Sequence, residues 1–169
     1  METVFFQGQE FHTYGSLPAV GTKAPDFTLV TPELKGITPK DFEGKTIVLN
    51  VFPSLDTPVC AMSVRKFNKE ASGLTDTVVL CVSMDLPFAA GRFCTTEGLK
   101  DVIPASAFRS PSFAQNYGLQ IVDGPLAGLL ARAVIVINPK GEIIYRDLVN
   151  EITNEPDYEG AINAIKGKF

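Results

Sequence analysis

An α/β fold with a central mixed β-sheet and helices on both faces is what this sequence predicts, and three observations carry the prediction. Ile47 to Phe52, Val78 to Val82 and Val134 to Ile137 are near-continuous apolar runs rich in β-branched residues, the pattern of strands covered on both sides. Segments with helix-start chemistry follow the first two. The third is followed by a tight turn and a segment suited to return antiparallel. An alternation of strand and helix closed by a hairpin and a helix requires that both faces of one sheet be covered.

Each element has a local reason. Thr3 to Tyr14, centred on Gln7-Gly8-Gln9, reads as a short N-terminal hairpin. Phe27 to Val30 is hemmed in by Pro25 and Pro32, which suits an edge strand, and a Gly- and Pro-punctuated loop then runs to about Lys45. A helix is predicted from Pro58 to about Ser72, with Gly73 in the position that follows a helix end. Between Asp85 and Gly118 one helix begins at Pro87 and another at Pro111, the second behind Ser110 as N-cap and stopped by Gly118. Asn138-Pro139-Lys140-Gly141 is a turn, after which Glu142 to Arg146 pairs back. A last helix starts near Pro156 and sets Tyr158, Ala161, Ile162 and Ile165 at helical spacing. The order is β-α-β-α, then β-β-α, with an added N-terminal β-hairpin: the layout of a thioredoxin-like α/β domain.

The 169 residues contain no internal repeat or low-complexity tract and read as one domain, 1–169. A chain of this length buries about 70% of its unfolded surface and needs no disulfide staple. With 45% apolar and 20% charged residues and a net charge of −4, it lacks the basic excess or stripe of a nucleic-acid binder. No apolar stretch is long enough to cross a membrane, and Met1 to Tyr14 resembles neither a secretory signal nor a transit peptide, so the expected location is the cytoplasm. In that reducing compartment three cysteines point to redox, metal or catalytic use instead of a disulfide framework.

Cys60 stands out by position. With Thr57 as N-cap and Pro58 as the first helical residue, it falls in the first turn of its helix. Unpaired backbone N–H groups and the positive end of the helix dipole favour a thiolate over a thiol there. The plainer alternative is a small apolar filler on the buried side of the helix. In a thioredoxin-like fold this junction is where Cys-x-x-Cys would sit, but Thr57-Pro58-Val59-Cys60 has threonine in the first place and cannot close the local disulfide. The Thr57 hydroxyl can instead donate a hydrogen bond to an oxygen bound beside the sulfur.

The other candidates divide. Cys81 lies among apolar neighbours in a strand and reads as an inert core residue, whereas Cys94, near the end of the Pro87 helix among polar residues, either reaches solvent and a partner or packs the helix. Cys60, Cys81, Cys94 and His12 lack the ligand gaps of about two to four residues that zinc sites use. The single histidine, His12, reads as a surface strand residue, which disfavours Cys-His or Ser-His-Asp hydrolysis. Arg65 and Lys66 fit a solvated helix face. Arg132, embedded between Leu129-Leu130-Ala131 and Ala133-Val134-Ile135, needs an anion: a thiolate at the neighbouring junction would serve, as would a structural carboxylate, unless the side chain snorkels to water.

Pro53-x-x-x-Thr57-x-x-Cys60 resembles the active-site signature of the peroxiredoxins. The longer strings Asn50 to Cys60 and Ser63 to Phe67, then Asp85-Leu86-Pro87-Phe88-Ala89 with Arg92-Phe93-Cys94, Asp123 to Val134, and Glu151 to Tyr158 resemble the bacterial thiol peroxidase branch, an atypical two-cysteine peroxiredoxin type. The resemblance spans nearly the whole chain. It implies that Cys60 is the peroxidatic cysteine, which attacks a hydroperoxide and becomes a sulfenic acid. It implies that Cys94 is the resolving cysteine, forming an intrachain disulfide with Cys60 that thioredoxin reduces. Thr57 would hold the peroxide oxygen, Arg132 would stabilise the thiolate and the departing oxygen, Pro53 would shield the sulfur, and Cys81 would be non-catalytic. A homodimer is implied, with no metal or organic cofactor. Closing the span from Cys60 to Cys94 costs the unfolded chain about 4 kcal/mol of entropy, and two cysteines on separate helices imply a local rearrangement before the sulfurs meet.

Three rival readings use parts of the same sequence. A thioredoxin-like oxidoreductase is disfavoured by the missing Cys-x-x-Cys, and a glutathione-peroxidase-like enzyme by the absence of tryptophan. A redox-sensing binding protein would use the same two cysteines as a switch, and would stop after one equivalent of peroxide.

Overall fold

The computed structural model describes residues 1–71 and 73–167. An N-terminal hairpin pairs β1 (Thr3–Phe6) with β2 (Gln9–His12). Its turn residues Gln7 and Gly8 both have positive φ, 53° and 79°, the mirror-image turn that matches strand twist. The main sheet has seven strands in the order β4-β3-β7-β6-β5-β8-β9. These are β3 (Leu29–Val30), β4 (Gly36–Ile37), β5 (Thr46–Val51), β6 (Thr77–Ser83), β7 (Ile103–Ser106), β8 (Ala133–Ile137) and β9 (Ile143–Leu148). The helices are α1 (Pro58–Ala71), α2 (Pro87–Glu97), α3 (Pro111–Asn116) and α4 (Tyr158–Ile165).

The three apolar runs form the middle of this sheet, with β5 parallel to β6 and antiparallel to β8. Alternation along β5 shows why both faces are apolar. Ile47, Leu49 and Val51 enter one core with Leu80, Val82, Phe113 and the hairpin residues Val4 and Phe11, whereas Val48 enters the other with Val79, Val134, Val136 and the α1 residues Cys60, Val64 and Phe67. The spacing of Cys60, Val64 and Phe67 is one face of a helix. Cys60 is therefore packed into the core that lies between α1 and the sheet.

Several expected elements differ in the structure. Phe27 to Val30 is not an edge strand: only Leu29–Val30 is extended, and it lies between β7 and the outermost strand β4. The loop to Lys45 holds β4 and a 3-10 turn, Pro39–Phe42, both too short to leave a periodic signal. Strand β7 was not expected, because Pro104 argues against a central strand. Its missing N–H goes unused here, since β3 meets β7 in register only at Val30 and Ser106. At α3, Ser110 occupies the N-cap without a side-chain capping bond; its hydroxyl is turned to the Thr28 carbonyl. Helix α4 begins at Tyr158, two residues beyond Pro156, because the Asp157 carboxylate accepts the Gly160 N–H at 3.0 Å and sets the N-cap. The expected end of α1 at Ser72 lies outside the described residues.

Gly118 is one glycine whose absence of a side chain is required. Its φ is +66°, and a Cβ there would lie 2.4 Å from the Ser16 carbonyl oxygen. His12 lies on β2, as expected of a surface strand residue, with Nδ1 2.6 Å from Asp123 and Nε2 3.0 Å from Glu10. The Asp123 hydrogen bond raises its pKa and His12 in turn lowers that of Asp123. This exposed clasp is strongest between the two titrations and fades as pH rises through the folded-state histidine value or falls through that of Asp123. Among the described residues no helix is long and apolar enough to cross a membrane.

Candidate active site

The site is built where the central strand ends. In a sheet whose chain leaves β5 for a neighbour on one side and later returns on the other, the crevice lies beyond the carboxyl end of that strand. Phe52 and Pro53 continue from β5 into this crevice and are buried, and a turn then leads into α1. The Thr57 N–H and hydroxyl both donate to the Ser54 carbonyl, at 3.3 and 3.1 Å. In the N-cap role expected of it, the Thr57 hydroxyl accepts the Cys60 N–H at 3.4 Å. Cys60 is fully buried in the first turn of α1.

Arg132 comes to Cys60 through strand register. Val51 of β5 is paired with Ala133 of β8, so the residue before β8 lies beside the continuation of β5 into the site. There Arg132, only 2% exposed, donates from Nη2 to Cys60 Sγ at 3.1 Å and from Nε to the Ile152 carbonyl at 2.8 Å. Among the described residues its buried Nη1 has no hydrogen-bond partner. A buried guanidinium N–H left unpaired costs on the order of 1–3 kcal/mol, so the site favours a molecule that brings an acceptor oxygen.

Two further groups complete the surroundings, and the sequence assigned neither of them a role in the site. Ser63, buried in α1, donates to the Cys60 carbonyl at 2.9 Å and accepts from Asn50 Nδ2 of β5 at 3.3 Å, a polar tie between helix and sheet beneath the sulfur. Tyr158 of α4 stacks edge-on against Phe67, carries Lys66 over its ring at 5.6 Å and donates to Glu155 at 3.0 Å. Burial is the main cause of its raised pKa, followed by the hydrogen bond to Glu155, and the nearby Arg132 guanidinium opposes the shift. Helical spacing marked Tyr158 as inward-facing; nothing in the string said what it would face.

The remaining cysteines part company. Cys81 is buried, its register partner on β5 is Asn50, and burial pushes its thiol up to about 12, as suits an inert core residue. Cys94 is half-buried on α2, with a pKa raised by burial. No disulfide or hydrogen bond joins it to Cys60. Arg65 lies on an exposed face and reaches across to Glu97 at the end of α2 through two bonds of 2.8 and 2.9 Å. An exposed pair of this kind contributes little to stability, because water and salt screen it.

Comparison with known proteins decides the family. Residues 19–162 match the Redoxin family model. The chain belongs to the redoxin family. This redoxin is 52% identical over 165 residues to the thiol peroxidase of Corynebacterium glutamicum, covering 98% of this chain and 99% of that one. The figures for the thiol peroxidase of Mycobacterium tuberculosis are the same. Among solved structures, a peroxiredoxin-like protein from Aquifex aeolicus superposes with a TM-score of 0.93 at 39% identity, covering 99% of this redoxin and 97% of that chain. The thiol peroxidase from Chromobacterium violaceum, at 18% identity, shares the fold with a TM-score of 0.90, covering 98% and 95%. This redoxin is an enzyme, a peroxidase of the peroxiredoxin type with a thioredoxin-like fold.

Proposed function

We propose that the chain, acting as one domain, reduces hydrogen peroxide and organic hydroperoxides through Cys60, with Cys94 as resolving cysteine and thioredoxin as reductant. The observation that carries the reading is the buried Arg132 guanidinium, bonded to Cys60 Sγ by one nitrogen while a second has no protein partner. The Cys60 thiolate attacks the terminal oxygen of the hydroperoxide, the O–O bond breaks, and the sulfur loses two electrons. The departing alkoxide or hydroxide carries away the bonding pair and takes up a proton, giving alcohol or water. Arg132 faces both the attacking sulfur and the charge that develops on oxygen. The Thr57 hydroxyl turns from the Ser54 carbonyl to the bound peroxide, and buried Pro53 keeps water from the sulfur.

Resolution follows when the Cys94 thiolate attacks the Cys60 sulfenic acid. The S–S bond forms, the S–O bond breaks, and hydroxide leaves and is protonated. A thioredoxin thiolate then attacks this disulfide, and its second thiol displaces the mixed disulfide, so thioredoxin leaves oxidised and Cys60 and Cys94 return as thiols. Because the sulfurs ride on separate helices, α1 and α2 each give up local structure for the bond to form. Hydrogen exchange over the first turn of α1 and the last turns of α2 is therefore expected to be faster in the oxidised chain; equal protection in both redox forms would contradict this. The antioxidant role is cytoplasmic and the working form a homodimer.

The direct test is a peptide map after one equivalent of peroxide, in which Cys60 and Cys94 should be joined. Cys94→Ser should still consume the first equivalent but fail to cycle with thioredoxin and its reductase. Cys81→Ser should cycle within about twofold of the wild type, its thiol being buried and inert. Sustained cycling by the Cys94 variant would remove that residue from the scheme. A halt by the wild type after one equivalent would favour a redox sensor.

A further inference from the structure

Asp85 lies between β6 and α2, and its half-buried carboxylate accepts three hydrogen bonds. Ser54 Oγ donates to Oδ1 at 2.8 Å, while the Leu55 N–H and Ser83 Oγ donate to Oδ2 at 2.8 and 2.7 Å. Two of these donors belong to the turn between Pro53 and Thr57. Asp85 is itself held in place, because its carbonyl accepts Ser106 Oγ at 2.6 Å and its N–H reaches Ser83 Oγ at 3.2 Å. It is thus an anchor on the ends of two parallel strands.

The contacts continue toward the sulfur. Ser54 Oγ accepts the Asp56 N–H at 3.1 Å, and the Ser54 carbonyl receives both the N–H and the hydroxyl of Thr57. The Thr57 hydroxyl in turn meets the Cys60 N–H. Cys60 Sγ, by contrast, is held by Arg132. We propose that Asp85 is a positioning residue for the peroxidase reaction: by clasping Ser54 and Leu55 it sets where the Thr57 hydroxyl stands relative to Cys60 Sγ. It acts on the oxygen being attacked, through Ser54 and Thr57, and leaves the nucleophile's own electrostatic support to Arg132 and the helix start.

The inference rests on Cys60 being the peroxidatic residue, and its test separates the two. Reduced full-length chain is mixed with hydrogen peroxide, quenched, and the loss of free Cys60 thiol read by mass spectrometry. A parallel run measures alkylation of Cys60 by iodoacetamide, which needs the thiolate but no Thr57 hydroxyl. Asp85→Asn should lower the peroxide rate by about 10- to 100-fold, the scale of a misplacement near 1 Å, and leave alkylation within about twofold. Ser54→Ala should show the same split more weakly. The double variant should match Asp85→Asn alone, because both changes cut one chain of contacts.

A peroxide rate within twofold of wild type in Asp85→Asn overturns the proposal. So do equal falls in peroxide and alkylation rates, which would place Asp85 behind the thiolate or the fold. Should Asp85→Asn fail to fold, a wild-type peroxide rate in Ser54→Ala overturns it alone. Wild-type Cys60 left untouched by peroxide would sink the parent reading first, and this one with it.

Discussion

Cys60→Ser should reduce peroxide consumption to the uncatalysed background, a fall of at least about 10⁴-fold, the scale seen when an enzyme loses its only nucleophile. A serine hydroxyl at that position stays neutral at physiological pH and is a poor nucleophile toward an O–O bond. The change is otherwise small. Serine is nearly isosteric with cysteine, and the buried hydroxyl finds a donor in Arg132, whose Nη2 lies 3.1 Å from the present sulfur. The melting midpoint should therefore shift by no more than a few degrees. Assay with hydrogen peroxide and a coupled thioredoxin system measures the loss; retention of more than about 1% of wild-type turnover would move the peroxidatic role to another residue.

Arg132→Met comes second, with an expected fall of about 10²- to 10³-fold in the rate of Cys60 oxidation, the usual effect of deleting one preorganised donor at a developing charge. Methionine fills comparable space but removes three things together: the bond to Cys60 Sγ, the bond to the Ile152 carbonyl and the unpartnered Nη1. Stability should respond far less than rate. A buried cation is expensive to desolvate, so an apolar replacement recovers part of what the lost bonds contributed. Arg132→Lys keeps the charge but supplies no planar fork to serve sulfur, carbonyl and peroxide at once, and should fall between methionine and wild type. A methionine variant that oxidises at the wild-type rate would leave the thiolate dependent on the helix start alone.

Much of this was legible in the string, and particular residues show why. Periodicity is local, so the apolar runs around Leu49, Leu80 and Ile135 announced buried strands. Helix-start chemistry is local too, and Thr57-Pro58 placed Cys60 in a first turn without any tertiary information. The misses were short or contradictory signals. Pro104 hid β7, two-residue strands left no period, and Ser110 gave its hydroxyl to a distant carbonyl in place of its own helix.

The sequence by itself determined that a cysteine begins a helix at the end of a buried strand, because caps, proline and periodic burial act over a few residues. Which anion Arg132 faces, what Asp85 holds and where Tyr158 packs were decided only by tertiary structure. Those contacts depend on the register of β8 against β5 and on the meeting of strand ends far apart in the chain. A local pattern records which face of an element is buried; it carries no record of the neighbour across the gap.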